Sequence, residues 1–124
     1  MPRILVIDDS AAIREILRFV LEDEGYEVIE ATNGTEGLQR YQADPTDLVI
    51  TDLQMPGMGG LELLEALRRV VPTPVLMAIS GDRNALTQAR RLTPHAFAKP
   101  LPLEQVLAAV RNLDLRHRND GETV

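Results

Sequence analysis

Apolar residues along this chain fall into two alternating rhythms. Ile4 to Ile7, Leu48 to Ile50 and Val75 to Ile79 are unbroken apolar runs, ended respectively by Asp8-Asp9, by Asp52 and by Ser80-Gly81. Short continuous runs of this kind predict strands buried on both faces, as in a parallel sheet covered by helices. Tyr26 to Ile29 and Ala96 to Ala98 add a second and a fifth strand, the latter ending at Lys99-Pro100.

Between the runs the spacing changes to that of helices. Ser10 can cap a helix whose Ile13, Ile16, Leu17, Val20 and Leu21 share one face, and Gly25 ends it. Asn33-Gly34 turns the chain into a weaker helix carrying Leu38 and Tyr41, which Asp44-Pro45 closes. Gly57, Gly59 and Gly60 predict a flexible loop, and Leu61, Leu63, Leu64, Leu67 and Val70 mark a third helix that Pro72 and Pro74 stop. Ala85, Leu86, Ala89 and Leu92 suggest a short helix before Thr93-Pro94, and Leu103, Val106, Leu107 and Val110 a last one.

Five strands alternating with five helices imply a doubly wound α/β fold, because right-handed crossovers put helices on both faces of a parallel sheet. The expected strand order is the flavodoxin-like 2-1-3-4-5. In that order Asp8, Asp9, Asp52, Ser80 and Lys99 emerge along one edge, around the switch point between strands 1 and 3, where ligands of open α/β sheets bind.

Composition narrows the function. With 124 residues and 44% hydrophobic content the chain fits one domain with one core, and cysteine is absent, which excludes disulfides, thiolate metal sites and a Cys nucleophile. No signal peptide or membrane-spanning stretch is visible, so a cytoplasmic protein is expected. A net charge of -6, no basic stripe and few aromatics argue against a nucleic-acid surface and favour a cation or a basic partner. Three carboxylates without thiolates or paired imidazoles suit a hard, oxygen-preferring ion, with Mg2+ the natural candidate. Such an ion would keep all three ionised and leave Asp52 able to act as a nucleophile.

Each residue has an ordinary alternative. Asp8 and Asp9 can simply open a helix, Ser80 can be a turn residue beside Gly81, Lys99 a solvated strand end, and Met55-Pro56-Gly57 is a turn in either reading. His95 and His117 have no partner at ligand spacing and fit surface or strand-end roles, and Arg116 to Arg118 reads as a solvated tail. It is the set that points to a site.

The pattern resembles the receiver domains of two-component response regulators, of the stand-alone chemotaxis-regulator type, over roughly residues 3 to 114. The likeness rests on ILVIDDS, DLVITDLQMPGMGG, PVLMAISG and FAKP taken together. It implies that Asp52 is the phosphoacceptor, Asp9 a direct Mg2+ ligand with Asp8 assisting through water, and the Gln54 backbone carbonyl a further ligand. It also implies that the Ser80 hydroxyl and the Lys99 ammonium contact the phosphoryl group. The donor would be a phosphohistidine on a sensor histidine kinase or phosphotransfer protein, and the receiver would fill residues 1–115 with 116–124 a disordered polar tail and no effector following.

Two features depart from the family pattern. Ala96 stands where the family carries an aromatic three residues before the Lys, and Phe97 falls on the opposite strand face. From Ser80 to Lys99 the chain is also shorter than usual by about one helical turn. Two other functions compete with a phosphoacceptor: an aspartyl-phosphate phosphohydrolase, which would need an acid where Gln54 stands, and a receiver-like adaptor that is never phosphorylated.

Overall fold

A computed structural model describes residues 1–55 and 57–115. The expected turn at Pro56, His117, the Arg116 to Arg118 segment and the tail 116–124 lie outside the described residues. The continuous apolar runs form the middle of one parallel sheet: β1 (Arg3–Ile7), β3 (Leu48–Asp52) and β4 (Val75–Ser80), with β2 (Glu27–Ala31) and β5 (Ala96–Ala98) at the edges. The order is β2-β1-β3-β4-β5, as the alternation implies. Register aligns Ile7 with Thr51, Asp52 with Ile79 and Ser80 with Ala98, so the strands end level along one edge.

Alternation of side chains splits the interior in two. Ile4, Val6, Leu48, Ile50, Met77 and Ile79 face α1 (Ala11–Asp23) and α5 (Leu103–Asn112), which contribute Leu17, Leu21, Val106 and Val110. Leu5, Ile7, Val49, Leu76 and Ala78 face α2 (Gly34–Ala43), α3 (Gly60–Leu67) and α4 (Arg83–Ala89). Each fully buried Leu or Ile contributes roughly 1.5–3 kcal/mol, enough in aggregate to hold helices that are individually too short to persist alone. Among the described residues, no helix is long and apolar enough to cross a membrane.

Local chemistry sets the boundaries. Ser10 Oγ accepts from Ile13 N–H, Asn33 Oδ1 from Glu36 N–H and Asp82 Oδ1 from Asn84 N–H, starting α1, α2 and α4. Asn33 is thus a cap rather than a turn residue. Gly25, at φ 95°, ends α1, and Tyr26 N–H is taken by Leu21 C=O. Tyr26 therefore folds into the core, and β2 runs from Glu27 to Ala31 instead of from Tyr26 to Ile29.

Other departures follow from packing. Gly60 is the buried first residue of α3, not part of a flexible loop: a Cβ there would lie 2.3 Å from Leu53 Cα and 2.7 Å from the Asp52 carbonyl oxygen. Gly57 alone of the three glycines has a positive φ, 80°. Val70 and Leu92 lie just past the helices expected to carry them, and Ile16 is exposed because α1 turns its Ile13, Leu17 and Leu21 face inward. α4 has only 7 residues, Ala96 packs towards α3 and α4, and Phe97 packs on the α1–α5 side, as alternation requires.

Candidate functional site

The carboxyl edge of the sheet gathers the polar residues. Asp8 follows β1 and is held three ways: its N–H donates to Ala31 C=O at 3.2 Å, its Oδ1 accepts from Ser10 N–H at 2.8 Å, and its carbonyl accepts from Arg14 Nη1 at 2.7 Å. Asp52 closes β3 with its side chain 3% exposed; Oδ1 accepts from Gln54 N–H at 3.1 Å, while Oδ2 faces Lys99 Nζ at 3.3 Å. Lys99 Nζ is also 3.8 Å from Asp8 Oδ2, and its backbone N–H donates to Ser80 C=O at 2.9 Å, tying the lysine to the end of β4. Fully buried Ser80 accepts from Asp82 N–H at 3.0 Å, which leaves its own hydroxyl proton free to donate elsewhere.

Asp8, Asp9 and Asp52 each bring a carboxylate oxygen within 4.8 Å of the others, with Asp9 exposed and the other two buried. Burial pushes the Asp8 carboxyl above its ordinary value, the Ser10 N–H opposes this, the Asp52 charge adds to the rise, Lys99 counters it and Asp9 adds further. Three carboxylates against one ammonium leave two negative charges uncompensated, matched in sign and size by a divalent cation. An all-oxygen donor set open at Asp9 suits Mg2+, which keeps several waters. The residues present fit that ion.

Asp8, Asp9, Asp52 and Lys99 therefore meet. Lys99 is not a solvated strand end but a cation held between two acids, and Ser80 is a turn residue at the same sheet edge, its hydroxyl oxygen accepting from Asp82 N–H. Gln54 presents its N–H to Asp52, and its side chain approaches Gly81. His95 stands apart from the site, its carbonyl accepting from Ala78 N–H at the start of β5. Sequence reading missed Arg14, which joins α1 to the Asp8 carbonyl and pairs with Glu30 at 3.0 Å. Glu30 also pairs with Arg18 at 2.8 Å. A charged residue inside an edge strand, opposite two arginines one helical turn apart, was the available signal. Asp82, which both caps α4 and holds Ser80, was missed too.

Comparison with known proteins agrees with this geometry. A family model described as the response regulator receiver domain matches residues 4–111. Sporulation initiation phosphotransferase F of Bacillus subtilis is 30% identical over 112 residues, covering 88% of this chain and 90% of that protein. The transcriptional regulatory protein ResD of the same organism is 35% identical over 113 residues, covering 90% of this chain but 47% of ResD. The chain thus spans about half the length of several curated relatives. Among solved structures, the response regulator TrrA of Thermotoga maritima in complex with Mg2+ and BeF superposes with a TM-score of 0.83 at 32% identity, covering 91% of this chain and 99% of TrrA. TrrA has also been solved in complex with the histidine kinase ThkA, matching with a TM-score of 0.82 at 31% identity over 92% of this chain and 99% of that one.

Proposed function

The chain belongs to the receiver domain family of two-component response regulators, and from that premise we propose that Asp52 accepts a phosphoryl group from a phosphohistidine. As a receiver it is a signalling domain rather than an enzyme acting on a separate substrate; the only catalysis proposed is on its own Asp52. One Asp52 oxygen attacks phosphorus in line, a P–O bond forms, the P–N bond to the donor imidazole breaks, and the leaving nitrogen keeps the electron pair and takes a proton from solvent. Lys99 stands 3.3 Å from Asp52 and neutralises charge on the phosphoryl oxygens, while the Ser80 hydroxyl turns its free proton towards them. Asp8, Asp9, Asp52 and the Gln54 carbonyl would hold Mg2+, the ion present in the TrrA complex. The ion would supply positive charge against the negative charge that spreads over the phosphoryl oxygens. Gln54, two residues after Asp52, carries an amide too weakly acidic to protonate a leaving alcohol, which disfavours a phosphohydrolase.

The proposed donor is a histidine kinase or histidine phosphotransfer protein, a reading supported by the complex of TrrA with the histidine kinase ThkA. Exposed Ile16 and Phe19 on α1, the helix that begins just after Asp9, offer it an apolar contact beside the site. One observation carries the reading: a carboxylate almost fully buried between two acids and a lysine at the open edge of a parallel sheet. Acetyl phosphate should label the protein only with Mg2+ present, and Asp52→Asn should abolish labelling. Label retained by Asp52→Asn overturns the assignment.

A further inference from the structure

Among the described residues, Arg3, Arg14, Arg18, Arg40, Lys99 and Arg111 each have a carboxylate partner. Arg68, Arg69, Arg83, Arg90 and Arg91 have none there, although the chain holds 19 acids against 13 Lys and Arg. Four of these five stand at one corner, all exposed: Arg68 caps the C-terminus of α3 with Arg69 next to it, and Arg90 caps α4 with Arg91 next to it. The helix dipole accounts for a cation at either end, but not for two at each, unpaired in an acidic protein. α3 runs away from the Asp52 edge for about 12 Å, so the corner lies on the far side of the sheet from the phosphoryl site.

Two adjoining hollows of about 220 and 380 Å3 lie at this corner and share Arg68 and Leu92. The first combines apolar walls from Pro74, Val75, Leu92 and Pro94 with Arg68 and His95; the second includes Arg69 and one acid, Glu65. We propose that this corner docks an acidic segment of a partner protein, with an apolar side chain in the first hollow and flanking carboxylates on the arginine forks. Nucleic acid fits less well: His95 is the one ring lining either hollow, no Phe, Tyr or Trp stands there to stack successive bases, and the net charge of -6 repels a long polyanion. The proposal does not rest on phosphorylation of Asp52.

The test titrates the full chain into a fluorescent peptide of leucine flanked by aspartates and glutamates, with fluorescence anisotropy and amide chemical shifts as readouts. Binding should weaken as salt rises, and shifts should centre on Arg68, Arg69, Leu92 and His95. Arg68→Glu combined with Arg91→Glu should weaken it at least tenfold, Leu92→Ser should weaken it separately, and Arg40→Glu and Asp52→Asn should leave it within twofold. Absence of salt-sensitive binding, equal affinity for a lysine-flanked peptide or single-stranded DNA, shifts confined to the Asp52 edge, or sedimentation showing the arginines in a self-association interface would overturn the proposal. Retained binding by Asp52→Asn separates failure here from failure of the phosphoacceptor reading.

Discussion

Replacing Asp8 with Asn should stabilise the metal-free protein at neutral pH while removing most of its response to Mg2+. The amide keeps Oδ1 as an acceptor for Ser10 N–H, so the substitution removes charge and little else. At an effective dielectric of about 20, an Asp52 oxygen within 4.8 Å repels Asp8 by about 3.5 kcal/mol, while Lys99 at 3.8 Å attracts it by about 4.4 kcal/mol. The two nearly cancel, Asp9 adds further repulsion, and burying the carboxylate costs several kcal/mol that the Ser10 bond offsets only in part. A net gain on the order of 1 kcal/mol is expected, and each kcal/mol raises Tm by about 4 °C in a domain of this size. Because burial raises the Asp8 value in the folded state, its contribution to stability is complete below the ordinary value of 3.8 and is lost as pH rises through the folded value. The advantage of Asp8→Asn should therefore be largest near neutrality and vanish towards pH 4. Mg2+ at a hundred times its Kd should add about 2.7 kcal/mol to the wild type and much less to the variant. Urea unfolding followed by far-ultraviolet circular dichroism, with and without Mg2+, measures all three effects. A variant no more stable than wild type at neutral pH without metal, or one whose advantage grows on acidification, would refute the reasoning.

Three further outcomes are expected. Phe19→Ala should slow phosphoryl transfer from a histidine donor about tenfold while leaving labelling by acetyl phosphate unchanged; equal loss with both donors would place Phe19 outside the donor contact. Arg14→Ala, by freeing the Asp8 carbonyl, should weaken Mg2+ binding measured calorimetrically by about tenfold, or 1.4 kcal/mol, with Arg14→Lys restoring part of it. Beryllofluoride should shift amides around residues 52–60 and 80–84 strongly and those from Ala96 through α5 weakly; comparable cooperative shifts along β5 and α5 would show that another residue serves in place of the absent aromatic.

What the chain discloses in advance depends on the range of the interaction. The Leu48 to Ile50 run and the α1 periodicity are statements about burial on one or two faces, and the structure keeps them because no alternative placement hides those side chains. The acids, Ser80 and Lys99 were legible because strand order places all strand ends at one edge. Arg14 was not: on α1 it looks like any solvated arginine until β2 brings Glu30 alongside and the loop presents the Asp8 carbonyl. Tyr26 misleads for a similar reason, since a tyrosine beside Val28 and Ile29 has strand character, but its N–H is claimed by the end of α1. Gly60 reads as loop because nothing local records that Leu53 passes 2.3 Å from where its Cβ would be. The arginine corner is invisible as a stripe because its two pairs stand twenty-two positions apart and meet only when α3 and α4 pack on one face.

These details bear on how a phosphoryl group could be read by a partner. α3 packs closely at its start, where Gly60 lies against Leu53 and the Asp52 carbonyl, which ties the helix to the end of β3. β5 carries the small Ala96 on the α3–α4 side, and α4 is two turns long, so β5 itself offers that face no bulky side chain to reseat. A ligand shifts a conformational equilibrium only through its differential affinity for two states, and this part of the fold offers few such states. Phosphorylation of Asp52 would therefore change charge at one edge of the sheet, beside α1 and the Ser80–Asp82 turn, away from the arginine corner at the other edge. A partner held at that corner would stay attached in both phosphorylation states, and only a surface touching the Asp52 edge would sense the difference. If both proposals hold, recruitment and signal reading would fall to opposite edges of one sheet, with α3 running between them.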